Sequence, residues 1–471
     1  MTPTARSLFL RGRQLLGMAL TVGAGAVSAH ANGAVQAVFT VQAAGEHAIV
    51  RALTTAPVCP GISWNGDHAR AMAVRAQPGQ TPARSASASA QPDSKPSVFD
   101  TLTCEAVWPR RATRARVAGY VVPAPHRRIE RIVIVADTGC RMKSADNAFQ
   151  PCNDPQQWPF AQVARSAAAT RPDLVVHIGD MHYRESPCPA GNAGCASSVW
   201  GYGSDAWQAD FFTPAKPLLA AAPWVFVRGN HESCARAGQG WFRFFDADPW
   251  TPARSCNDPA HDHEADFSAP YAVPITPTHQ LIVFDSSRTS GQPYSSGDAA
   301  FGTYAAQLGA VDTLSQRMPH NFFLSHHPLL AVAHGDAASP ARPGGSQGVQ
   351  SAFASVAPAR LFPEKIDITM HGHIHLFESL SFESPHPASL VLGNSGSAND
   401  GHVKQTLPPG FEAYPGAVVQ DYAARSDYGF VTLDKVGARA DQWRLTEYSV
   451  NGAPVLRCHV EGGKSRCAPV L

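Results

Sequence analysis

The sequence predicts an α/β fold preceded by a short β-rich region. Three observations carry this expectation. Between residues 131 and 375, apolar runs of strand length alternate with helix-compatible stretches, as in a parallel sheet covered on both faces. Several of these runs end on Asp, Asn or His, and in open α/β sheets such residues meet in the crevice beyond the strand ends. Before residue 123 the runs are shorter, alternate with period two and are split by Gly and Pro, which reads as strands without helices.

The elements follow in order. The 471-residue chain opens with Arg6, Arg11 and Arg13, the apolar stretch 15–27, and Ala29-His30-Ala31. This is the layout of a signal peptide over 1–31, cleaved after Ala31, and it predicts an exported protein, periplasmic or secreted. The apolar stretch falls short of the roughly 20 residues that span a bilayer, so no membrane span is expected. Residues 32–128 are expected to form a small β domain with strands near 37–42, 47–53, 70–76 and 115–122. Its Ala/Ser/Pro/Gln insert at 77–97 cannot build a core and reads as a disordered surface loop. Residues 123–128 read as the linker. From 129 to 471 the catalytic domain is expected. Its strands fall at 131–137, 173–180, 223–230, 279–287, 321–329 and 367–375, and its helices at 155–169, 204–221, 304–318 and 350–361, before a strand-like tail over 377–460.

Charge selects no partner. The 38 Lys+Arg against 37 Asp+Glu give a net +1, with no basic stripe for nucleic acid and no acidic tail. Oligomeric state is not legible. The ten cysteines form an even set without Cys-x-x-Cys spacing, which in an exported chain favours disulfides over thiolate metal sites. They fall into the neighbours 140/152, 188/195, 234/256 and 458/467, leaving Cys59 and Cys104.

The polar residues at strand ends are Asp137, Asp180, Asn230-His231, His326-His327, His373 and His375. Such a mixed oxygen/nitrogen set suits iron, zinc or manganese rather than calcium. Singly, each has an ordinary reading as a cap, a polar turn or a hydrogen-bonded core histidine. Clustered and in order, they point to a metal site. The stretch HIGDMHY (177–183) is the ambiguous part, because His177, Asp180, His182 and Tyr183 could each be a ligand. In the loop 257–266, His261 and His263 read as part of a flexible acidic loop rather than a third metal site.

The series ADTG (136–139), GDMHY (179–183), GNHE (229–232), SHHP (325–328) and GHIH (372–375) resembles the calcineurin-like metallophosphoesterase superfamily, and its purple acid phosphatase branch most. The resemblance spans roughly 129–400 and implies an αββα sandwich with two metals at the strand ends. Carried over, the first metal takes Asp137, Asp180, Tyr183 and His375, and the second takes Asp180, Asn230, His326 and His373. Most members of the superfamily open Asp-x-His, and Gly139 stands at that third position. In the purple acid phosphatase pattern a tyrosine three residues after the bridging aspartate fills the gap, and Tyr183 is there. A phenolate favours Fe3+ at this site, with Fe2+, Zn2+ or Mn2+ at the other. His177 then reads as a core residue and His182 as outside both ligand sets. His371 reads as a buried polar residue, and Asp285 as a group that holds loops.

The implied activity is hydrolysis of a small phosphorylated substrate, most similar to a phosphomonoesterase. His231 is the expected proton donor or charge stabiliser, His327 the other candidate acid, and Glu232 the group that orients His231 or caps its loop. A phosphodiesterase or nucleotidase on the same scaffold is the alternative, and a non-catalytic exported binding module is a reading from another class.

Overall fold

The computed structural model describes residues 34–84, 94–336, 338–437, 439 and 441–470. The expected signal peptide over 1–31 and the centre of the 77–97 insert lie outside the described residues.

Numbering only the strands of the two large sheets, the N-terminal region supplies β1 (Val35–Gln42), β2 (Ala48–Thr54), β3 (Ala73–Ala76) and β4 (Leu102–Val107). Then come β5 (Arg131–Val135), β6 (Leu174–Ile178), β7 (Trp224–Val227), β8 (Tyr271–Thr276), β9 (His279–Val283) and β10 (His320–Leu324). The series continues with β11 (Ile366–His371), β12 (Phe377–Phe382), β13 (Ala388–Leu392) and β14 (Val419–Arg425). It closes with β15 (Gly429–Lys435), β16 (Trp443–Ser449), β17 (Pro454–Glu461) and β18 (Lys464–Pro469). One sheet has eleven strands in the order β18-β17-β16-β15-β5-β6-β7-β1-β2-β4-β3, and the other has seven, β8-β9-β10-β11-β13-β12-β14. Each has a parallel centre: β5, β6 and β7 in the first, β9, β10, β11 and β13 in the second.

Why the central strands carry apolar residues on both faces follows from the layers. Successive side chains of a strand face opposite sides. Ile132 and Ile134 of β5 join Leu281, Phe322, Ile368 and Leu390 of the opposing sheet in the core between the sheets. Val133 and Val135 face the other way, onto Phe160, Trp207, Phe211 and Leu218 of the helical segments. The second sheet is covered alike, with Ile282 and Phe323 against Tyr304, Leu308 and Phe353 of helices Ala299–Ser315 and Gln347–Val356. Each buried Val, Ile or Phe contributes roughly 1.5–3 kcal/mol, so both faces of a strand stabilise the sandwich. The result is the expected αββα order of layers.

The N-terminal region is β-rich, as expected, and it does not stand apart. β1 pairs in parallel with β7 at Val41 and Trp224, so the large sheet runs on into it. Arg51 and Arg75 are buried and donate to the carbonyls of Phe244 and Asp246 and of Phe242 and Asp248, respectively. The stretch 115–122 is a hairpin rather than one strand, because Ala118 and Gly119 turn it with positive φ. The flanks of the insert are ordered: Gly79–Thr81 pairs with Ser97–Phe99, and the Thr81 hydroxyl bonds Gln239. The loop 257–266 forms two short helical turns and ends on Asp266, which accepts from the Cys234 N–H at 2.7 Å and pairs with Arg228. No described helix is long and apolar enough to cross a membrane.

All ten cysteines are paired, as 59–104, 140–152, 188–195, 234–256 and 458–467. Five disulfides fit a protein made for an oxidising compartment. Three of them close loops beside the strand-end motifs. Replacing Cys234 and Cys256 together by Ala opens a 22-residue span and is expected to cost roughly 3 kcal/mol by loop-closure entropy. Urea melts of the oxidised wild type and the double variant check this. Equal midpoints would contradict it.

Candidate metal centre

The motif residues sit two to four positions beyond strand ends. Asp137 follows β5, Asp180 follows β6, Asn230 follows β7, His326 follows β10, and His373 and His375 follow β11. Parallel alignment puts all these ends at the same edge of the sandwich. Asp137, Asp180 and His373 adopt left-handed backbone, with φ of 53, 57 and 73°. Such conformations are strained for residues other than glycine and concentrate at functional sites. His373 and His375 therefore do not lie on an extended segment, although a strand was expected over 367–375. β11 stops at His371 and the chain bends at 373–376, yet both rings reach the cluster.

The Tyr183 phenol is the hub of one half. Its oxygen lies 2.9 Å from Asp137 Oδ1, 2.8 Å from Asp180 Oδ2 and 2.8 Å from His375 Nε2. In the other half, His326 Nε2 is 3.0 Å from Asp180 Oδ2 and 3.1 Å from Asn230 Oδ1, and His373 Nδ1 is 3.2 Å from the same Asn230 oxygen. Donor atoms of Asp180, His326 and His373 all fall within 4.8 Å of one another. Asp180 thus stands between the two groups. Two of the rings are oriented from behind: His326 Nδ1 donates to the Ile178 carbonyl at 2.8 Å and His375 Nδ1 to that of Ala398 at 2.7 Å. Each leaves Nε2 facing the cluster, the arrangement usual behind a metal-ligating histidine.

The electrostatics of the group follow from its burial. Asp137 and Asp180 are fully buried. Burial raises the Asp137 carboxyl, while at Asp180 burial is outweighed by the His326 and His231 rings, which hold it well below the usual carboxylate range. Burial, then the two carboxylates, pushes the Tyr183 phenol well above its ordinary value. Burial also opposes the charge on His326, but Asp180 and Asp137 overcome it and push the ring up to about 9. Buried oxygen and nitrogen donors gathered around two carboxylates fit divalent or trivalent cations. A second group of ligand-type atoms, Cys234, Cys256 and Asp266, has its sulfurs tied in a disulfide.

Gly139 has a steric reason. A Cβ there would lie 2.6 Å from Asp210 Oδ2 and 2.8 Å from the Tyr183 N, so no side chain fits without moving the loop that carries Tyr183. Asp210 itself had no motif to reveal it. It lies in a π-helical turn, Gln208–Phe212, inside the helical run 204–219. From there it accepts from the backbone N–H of Tyr183 at 2.7 Å and of Cys140 at 2.8 Å, and pairs with Arg184. Wide turns of this kind often mark functional sites, but no sequence period announces them.

The remaining histidines separate cleanly. His177 is buried in β6, bonded to the Thr138 hydroxyl at 2.9 Å. His182 is buried against the rings of Tyr202 and Trp207. His371 bonds the Ser325 hydroxyl at 3.0 Å. His327 is buried beside His373, with ring centroids 4.2 Å apart, and shares a hydrogen bond with Ser286. His231 lies on the Tyr183 ring, with centroids 3.8 Å apart, and its backbone N–H donates to Asp180 Oδ1. Glu232 caps the loop rather than holding His231: it accepts from the N–H groups of Asp180, Met181, His182 and Gly229. Asp285 receives the Ser268 and Ser287 N–H groups and Arg228, joining three loops. Among the described residues, no cluster of ligand-type atoms includes His261 or His263.

The model of the calcineurin-like phosphoesterase family matches residues 130–377. Two solved structures are similar to the chain. A purple acid phosphatase from yellow lupin (Lupinus luteus) seeds is 15% identical, with 92% of this chain and 74% of that one covered and a TM-score of 0.49. The structure of PhoD is 12% identical, with 92% of each chain covered and a TM-score of 0.51. No curated protein sequence matches.

Proposed function

The chain belongs to the calcineurin-like phosphoesterase family, a family of metal-dependent phosphoesterases, and from that premise we propose that it is an exported, two-metal phosphomonoesterase resembling purple acid phosphatases. The observation that carries the finer reading is the phenol of Tyr183 within 2.9 Å of Asp137, Asp180 and His375, beside a Gly139 that has no room for a side chain.

In this reading Asp137, Asp180, Tyr183 and His375 hold Fe3+, and Asp180, Asn230, His326 and His373 hold Fe2+, Zn2+ or Mn2+. Bound there, the cations supply positive charge for phosphate oxygens and an activated water. Asp180 offers one carboxylate to both halves. Tyr183 supplies a hard anionic oxygen, and its loop is fixed by Asp210. His231 gives its proton to the departing ester oxygen as the water oxygen bonds to phosphorus and the P–O ester bond breaks. His327, beside His373, lines the opposite wall and is the second candidate acid. We also propose residues 32–128 as an accessory β region and 129–471 as the catalytic unit.

Metal content together with turnover of p-nitrophenyl phosphate and its bis-ester tests the proposal. Two metals per chain and a faster monoester are expected. A preference for the bis-ester would make the protein a phosphodiesterase, and metal-free protein inactive on both would leave the binding-module reading.

A further inference from the structure

We infer that Glu185 and Arg236 are positioning residues for His231, clamping its ring so that Nε2 faces the reacting atoms. The inference rests on the proton-donor role proposed for His231. Neither residue belongs to a motif. Glu185 lies two positions after Tyr183, and Arg236 five after His231.

The three side chains are buried together: 2% of Glu185, 5% of Arg236 and 6% of His231 is exposed. Glu185 Oε1 lies 3.1 Å from His231 Nδ1 and 2.5 Å from Arg236 Nε. Arg236 Nη2 lies 2.6 Å from each imidazole nitrogen. The Tyr183 ring covers a face of the imidazole. His231 is therefore held by a carboxylate at one nitrogen, a guanidinium at its edge and a phenol ring below. The carboxylate at Nδ1 accepts one ring N–H, so the proton given to the leaving oxygen is the one that the protonated ring carries on Nε2. Nε2 is the nitrogen facing Asp180, with Oδ2 at 3.8 Å.

The pair also joins two loops. Glu185 is anchored by its N–H to the carbonyls of Met142 and Tyr183, just ahead of the Cys188–Cys195 disulfide. Arg236 sits two residues past Cys234, which is tied to Cys256. The ion pair thus spans the gap between the Tyr183 loop and the Asn230 loop, with His231 inside it. A pair that merely ties loops would affect every substrate alike. A pair that positions a proton donor matters most when the leaving group needs the proton.

The test uses the full-length, metal-loaded protein and two esters, an alkyl phosphate and p-nitrophenyl phosphate. Glu185→Gln is expected to keep two metals per chain and to lower kcat on the alkyl ester about 10–100-fold, a part of the range for a positioned acid. With p-nitrophenyl phosphate, which leaves without a proton, the loss stays below about threefold, and KM is little changed for either ester. Placed on His231→Ala, the same change should cost nothing further, since residues acting as one unit are not additive. Should Glu185→Gln not fold, Arg236→Lys gives the same comparison, because lysine keeps the charge and loses the planar fork. Equal losses on the two esters, loss of metal, or a full further loss in the His231→Ala background overturns the inference. Wild-type protein inactive on both esters overturns the phosphoesterase reading itself, and the inference with it.

Discussion

Asp180→Ala is expected to strip both metals from the protein and to abolish hydrolysis. Asp180 places a carboxylate oxygen against donor atoms of both groups, with Oδ2 at 2.8 Å from the Tyr183 oxygen and 3.0 Å from His326 Nε2. Its other oxygen accepts from the His231 N–H. A carboxylate can bridge ions roughly 3.5–4 Å apart. Deleting it also leaves His326 without its principal counter-charge. Elemental analysis of the purified variant gives the answer, and two metals retained per chain would sink the bridging assignment. The fold itself should survive, because the αββα core lies away from this edge and circular dichroism should be unchanged.

His231→Ala has the second largest expected effect and a different signature. Both metals stay, because the ring belongs to neither donor group. Turnover falls by roughly 10²–10⁴-fold, the usual contribution of a positioned acid. The loss should be steepest for esters with poor leaving groups. Turnover of an alkyl phosphate at the wild-type rate, with metals in place, would remove His231 from the mechanism.

Much of the fold was legible because burial on both faces leaves a mark that periodicity detects. β5, β6 and β10 read as largely apolar runs, and each is sandwiched between a helix layer and the opposing sheet. The motif residues were legible for a related reason: they follow those runs at fixed offsets. Other features left no such mark. The continuity of β1 with β7 depends on a pairing between residues 41 and 224, which no local pattern encodes. Left-handed backbone at His373 ends the strand expected over 367–375 early, and no local pattern announces it. Asp210, Glu185 and Arg236 are single charged residues within helices and loops, and burial and pairing alone distinguish them from solvated ones. For Asp210 the one local hint is the interruption of the helical stretch by Pro214 and Pro217, and that signals irregularity rather than function.

In the proposed reading HIGDMHY supplies Asp180 and Tyr183 to the metals, while His177 and His182 stay in the protein core. In that reading Tyr183 binds Fe3+, and a tyrosinate–iron(III) bond gives a visible charge-transfer band. The decisive measurement is therefore the visible spectrum and iron content of the iron-loaded wild type, Tyr183→Phe and His182→Ala. The wild type is expected to be purple to pink, Tyr183→Phe to be bleached with weaker Fe3+ binding, and His182→Ala to keep both colour and metal. A colourless wild type at full iron loading, with the first metal lost in His182→Ala, would contradict this reading and make His182 the ligand.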